Sequence, residues 1–131
     1  MKLTLPFYLN KAGAGFPSPA TDYIEEDIDL NIHLIKNGPA TFVIRVQGKS
    51  MSNVGIYDGD LLIVDKSLKP KNFSTVIANV HDELVVKNFI KEKNIQYLTS
   101  GPKNFKDKII INEDSNILIW GVVTYVIHSV Y

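Results

Sequence analysis

The sequence predicts a mostly β fold with short helical turns, and three observations carry that reading. Apolar residues alternate with polar ones, or run on briefly, at 42–47, 61–64, 75–80, 84–90, 95–98 and 117–131. Alternation at period two, or a short apolar run bounded by turn residues, marks a strand. Between these stretches stand turn formers, as at Lys69-Pro70-Lys71-Asn72, His81-Asp82-Glu83 and Lys93-Asn94, which reverse the chain. A single stretch near residues 30–36 has helical spacing. With 131 residues the chain is long enough for one core.

Taken in order, residues 1–21 show little periodicity and are rich in Gly, Pro and Ala. They predict an extended N-terminal arm, with 22–131 as the folded domain. Lys2, the short apolar stretch after it and Ala12-Gly13-Ala14 carry some features of a signal peptide. Pro6, Asn10 and Lys11 interrupt that pattern, and no later stretch has the length of a membrane span, so a cytoplasmic protein is expected. Asp29 is placed to cap a short helix with Leu30, Leu34 and Ile35 on one face, and Asn37-Gly38-Pro39 stops it. The segment 41–66 then organises the chain: an alternating strand ending at Gln47, a turn at Gly48-Lys49-Ser50-Met51, and a second strand at 61–64. A hairpin through His81-Asp82-Glu83 brings in the run that holds Lys87. Gly101-Pro102-Lys103-Asn104 opens a polar loop, and the closing run 117–131, broken by Gly121, suits a central strand or a subunit contact.

Composition excludes several functions. Lysine plus arginine and aspartate plus glutamate both number 14, giving zero formal net charge. No basic block tracks phosphates, which argues against strong direct DNA binding. The absence of cysteine removes disulfides and thiol chemistry. His33, His81 and His128 lack ligand spacing, and Asp58 and Asp60 read as turn formers, so no metal and no cofactor are expected.

A serine just past a strand, after a glycine, can present its hydroxyl on a fixed backbone. Gly48-Lys49-Ser50-Met51 followed by Gly55-Ile56-Tyr57-Asp58-Gly59-Asp60 resembles the nucleophile segment of the LexA/UmuD family of self-cleaving serine peptidases, whose pattern is G-x-S-M and then G-I-x-D-G-D. Val85-Val86-Lys87 resembles the segment in which the family carries its general base. Ala14-Gly15-Phe16-Pro17-Ser18-Pro19-Ala20 resembles the segment the family cleaves in itself. The chain departs at Lys49, where UmuD-like members often have an acid.

The resemblance implies a LexA/UmuD-like peptidase fold of the β-clip type and a cut between Ala14 and Gly15. Ser50 would be the nucleophile and Lys87 the general base, with the backbone N–H groups of Lys49 and Ser50 holding the oxyanion. It also implies an SOS mutagenesis protein: a homodimer whose cleavage is stimulated by a RecA filament on single-stranded DNA, and whose product serves a UmuC-type translesion polymerase. The 14 residues before the cut are too few for a DNA-reading domain of the LexA kind.

The residues suit that chemistry. A serine hydroxyl needs a base, and Ser-Lys pairs are a variant of the serine triad. Free lysine is almost wholly protonated at neutral pH, so the base reading requires Lys87 to be desolvated, for which Val85, Val86, Phe89 and Ile90 offer apolar neighbours. Met51 is expected to pack beneath the serine. Two other readings stand beside this one: an interaction and dimerisation module with a vestigial dyad, and a signal-peptidase-type enzyme, which normally needs a membrane anchor.

Overall fold

A computed structural model describes residues 3–8, 24–101 and 107–131. The chain divides into two compact units, Met1–Lys36 and Asn37–Tyr131. The arm boundary expected between 21 and 22 falls outside the described residues.

In the first unit, β1 (Leu5–Tyr8) pairs antiparallel with β2 (Ile24–Ile28) in a two-stranded sheet that the sequence patterns do not announce. The helix α1 (Leu30–Leu34) follows, and Asp29 caps it as expected, accepting hydrogen bonds from the N–H groups of Asn31 and Ile32 at 3.0 and 3.5 Å. In the second unit a 3-10 turn, Gly38–Ala40, contains Pro39 and leads into the main sheet.

That sheet has seven strands: β3 (Thr41–Arg45), β4 (Leu61–Asp65), β5 (Thr75–Val80), β6 (Glu83–Glu92), β7 (Ile95–Thr99), β8 (Ile109–Ile111) and β9 (Ile117–Ile127). Their spatial order is β3-β4-β9-β5-β6-β7-β8, with every pair antiparallel. The mostly β fold is as the sequence predicts, and β3 to β7 and β9 lie where its apolar runs stand. The β5–β6 hairpin turns through His81 and Asp82, both in the left-handed region at φ 52° and 67°, the backbone that a two-residue turn requires.

The last strand is central, between β4 and β5. Its C-terminal half, from Val122 on, pairs with β4, and its N-terminal half, up to Val122, pairs with β5. Register shifts opposite Ile63/Val64 and Ile77/Ala78 leave Thr124 and Trp120 unmatched. Such bulges bend a strand and raise its twist, which lets one strand serve two partners in turn. Gly121 lies at the changeover. A Cβ there would stand 2.7 Å from Val64 Cγ1 and 3.1 Å from the Asp65 carbonyl oxygen, so the missing side chain is a matter of space.

Two apolar clusters fill the unit. Val46, Met51, Ile56, Leu62, Val64 and Ile77 form the first; Val76, Ala78, Val80, Phe89, Leu98 and Val122 form the second. Successive residues of a strand point to opposite faces, and β5 sends Val76 and Ala78 to one cluster and Ile77 to the other. It is buried on both faces, which explains its almost unbroken apolar sequence.

Gly121→Ala forces its methyl group against Val64, which is fully buried. The substitution is expected to cost about 1–3 kcal/mol, as overpacking of a well-filled core does. Urea unfolding monitored by Trp120 fluorescence measures it, and a midpoint equal to that of the wild type would contradict this account of the glycine.

Candidate active site

The turn after β3 is built by carboxylates acting on backbone. Gly48 takes φ 103°, a conformation open to glycine, and its N–H donates to Asp58 Oδ1 at 2.8 Å. Val46 exchanges backbone hydrogen bonds with the facing turn: its N–H donates to the Asp60 carbonyl at 2.8 Å, and its carbonyl accepts from the Gly59 N–H at 2.9 Å. Arg45 Nη1 donates to the Gly59 carbonyl at 3.0 Å. Asp58 and Asp60 thus act as formers of this turn, and among the described residues no group of acidic and histidine side chains is placed to hold a metal.

Met51 is buried beneath the loop, and its carbonyl accepts the N–H groups of Val54 and Ile56 at 3.1 and 3.2 Å. A 3-10 turn, Ser52–Val54, follows and ends at Gly55, whose φ is 85°. Lys49 and Ser50 are therefore exposed on a short loop fixed at both ends. Among the described residues the Ser50 hydroxyl has no hydrogen-bond partner, and the N–H groups of Lys49 and Ser50 donate to nothing. They are donors open to an incoming oxygen.

Asp60 is buried, yet its carboxyl sits below the ordinary carboxylate range. The Tyr57 N–H, donating to Oδ2 at 2.9 Å, is the main cause, and it outweighs the upward push of burial; His128, whose Nδ1 lies 2.6 Å from Oδ1, adds to it. Hydrogen bonds that favour the charged form lower a carboxyl in this way. His128, read from sequence as an ordinary residue, is tied to the serine-bearing turn from just beyond β9.

Lys87 stands opposite Val76 on β6. Val85 and Phe89, two residues to either side, pack with the second cluster, while Val86 packs with the first. By strand alternation the lysine leaves β6 on the face of Val85 and Phe89. Its side chain is 15% exposed, and Nζ lies 2.7 Å from Ser100 Oγ and 3.3 Å from Asp107 Oδ2. Burial pushes the Asp107 carboxyl up, but the hydroxyl and N–H of Ser100 together with Lys87 prevail and hold it below its ordinary value.

Ser50 and Lys87 border one cavity of about 480 Å³, together with Val46, Gly48, Ile77 and Glu83. Among the described residues they are not hydrogen-bonded to each other, and the amine is engaged by Ser100 and Asp107. Residues 83–87 extend past the part of β6 that pairs with β7, which begins at Asn88, so among the described residues their outer edge is unpaired. Ala14 and Gly15 lie outside the described residues. Sequence patterns missed Ser100 and Asp107 as partners of Lys87: they are 13 and 20 residues downstream of it and belong to no motif.

A serine on a rigid turn, open backbone donors beside it and a lysine on the same cavity define a peptidase-like β domain. Residues 6–124 match the family described as Peptidase S24-like, and the chain belongs to that family. This bears out the LexA/UmuD resemblance. The chain is 40% identical over 125 residues to Protein ImpA of Salmonella typhimurium, an alignment covering 94% of this chain and 83% of that one. It is 38% identical over 122 residues to Protein MucA of Escherichia coli, covering 93% and 83%. A LexA repressor of Shewanella denitrificans is 40% identical over 98 residues, 75% of this chain and 47% of the repressor. Among the described residues no helix is long and apolar enough to cross a membrane.

The sign of the Asp60 effect fixes its pH window. A carboxyl lowered by folding contributes stability that is complete above its ordinary value of 3.8 and is lost as pH falls through the lower folded value. Asp60→Asn should therefore melt below the wild type at pH 7, with the gap closing in strong acid. Thermal scans from pH 7 to pH 2 check this, and a gap that stays constant throughout would contradict it.

Proposed function

We propose that this chain is a self-cleaving serine peptidase that cuts its own Ala14–Gly15 bond with Ser50 as nucleophile and Lys87 as general base. The observation that supports this best is the shared cavity, where a serine on a fixed turn and a mostly buried lysine meet a strand edge that is unpaired among the described residues. An extended peptide can add to such an edge through backbone hydrogen bonds, which presents a scissile carbonyl in a defined orientation.

In this reading, neutral Lys87 accepts the Ser50 proton as Oγ bonds to the Ala14 carbonyl carbon. The carbonyl electron pair moves to oxygen, which accepts hydrogen bonds from the open N–H groups of Lys49 and Ser50. Collapse breaks the bond to the Gly15 nitrogen, which leaves as an amine with the proton from Lys87. Water, deprotonated by Lys87, then opens the acyl-serine and returns the hydroxyl.

Family membership and the LexA/UmuD resemblance support the wider role: an SOS mutagenesis protein of the cytoplasm, a homodimer, cut with help from a RecA filament, whose shortened form assists a UmuC-type translesion polymerase. For the dimer, the exposed Leu118, Tyr125, Val126 and Ile127 of β9 offer apolar contact surface. An inert docking module is the rival reading, favoured by the engagement of the Lys87 amine with Asp107.

Incubating the purified chain with and without RecA filaments across an alkaline pH series, with intact mass as the readout, separates the two. The wild type should split at Ala14–Gly15 faster as pH rises and the lysine loses its proton. Ser50→Ala should give no product at any pH, and Lys87→Ala should slow the reaction on the order of a hundredfold or more, the scale of a lost general base. Product persisting in Ser50→Ala would overturn the peptidase reading.

A further inference from the structure

The Lys87 amine does not sit free in the cavity. Ser100, itself buried, meets it at 2.7 Å, and Asp107 meets it at 3.3 Å while Asp107 Oδ1 accepts the Ser100 N–H at 3.3 Å. The three groups form a closed set in which Ser100 anchors the carboxylate and the carboxylate faces the amine. Three other charged groups among the described residues stand as follows. Arg45 donates to the Gly59 carbonyl at 3.0 Å, Lys108 Nζ lies 4.2 Å from the Tyr97 ring centroid, and Glu83 borders the cavity.

A carboxylate beside an amine favours the ammonium, and an ammonium cannot accept a proton from serine. We propose that Asp107 is a positioning residue that, with Ser100, holds the Lys87 amine away from Ser50, so that release from this clamp gates the peptidase. The proposal rests on the Ser50–Lys87 reading. Activation is then a loss of one proton: the N–H bond of the ammonium breaks, its electron pair stays on Nζ, the proton passes to water, and the neutral amine is free to turn to Ser50.

Asp107→Asn tests this, since the amide keeps the shape and can still accept the Ser100 N–H. Two readouts are needed. In a Ser50→Ala background, where no cleavage occurs, the NMR titration of the Lys87 Cε resonance should move to lower pH when Asp107 is replaced. In the active chain, the alkaline rise in cleavage should move to lower pH as well, with the rate at pH 7 up roughly eightfold, the effect of one charge at this distance in a water-like dielectric. Rates should converge at high pH, where the wild-type lysine is also neutral.

An unmoved Lys87 titration overturns the clamp whether or not the chain cleaves. A uniform change in rate with an unmoved pH profile also overturns it, because that is what a merely structural role gives. An equal displacement in Glu83→Gln would overturn the assignment to Asp107. A wild-type chain that never cleaves sinks the peptidase reading instead, and the titration still decides the clamp.

Discussion

The close approach of β9 to β4 at Gly121 is the constraint on which the second unit depends. One half-sheet, β3 and β4, carries the serine turn; the other, β5 to β8, carries Lys87 and its partners. β9 joins them by pairing first with β5 and then with β4, and Val122 is matched to both. The changeover brings the Asp65 backbone and the Val64 side chain close to the Gly121 Cα, where no side chain fits. Both clusters include residues of β9 or pack against them, Val122 in the second and Val123 against the first. The separation between the two candidate catalytic groups is thus set by a strand that contributes neither.

On the serine side, rigidity comes from charge used locally. Asp58 and Asp60 satisfy the N–H groups of Gly48 and Tyr57, which a turn of this kind would otherwise leave open. A buried carboxylate is costly unless hydrogen bonds or an opposite charge compensate it, and Asp60 has both the Tyr57 N–H and the His128 ring. With the turn fixed from below by Met51, the exposed Lys49 and Ser50 are held on a backbone that is already ordered.

The lysine side works on a different principle. A mostly buried amine is met by a carboxylate and a hydroxyl, the partners that a polar group withdrawn from water requires. Asp107, held below its ordinary range, faces an amine that the proposed mechanism requires to be neutral. Under that mechanism stability and reactivity set opposite demands on one side chain, and the contacts that hold it are made far along the chain.

Local sequence determined much of this protein. Alternating and continuous apolar runs located β3 to β7 and β9, because side-chain burial on a pleated strand has period two and needs no distant information. Asp29 announced its helix cap, and the Gly48–Asp60 pattern announced a serine turn, since φ above zero and short-range carboxylate bonds are matters of residue type. β1, β2 and β8 were not legible: β8 has three residues, β1 and β2 form a two-stranded pair, and pairing partners define them more than composition does. Only the tertiary structure decided that β9 is central, that His128 returns to Asp60, and that Lys87 meets Ser100 and Asp107. Those contacts join residues 13 to 68 positions apart, and strand register, which sets them, is fixed by the whole sheet closing on its core and by no stretch of the chain alone.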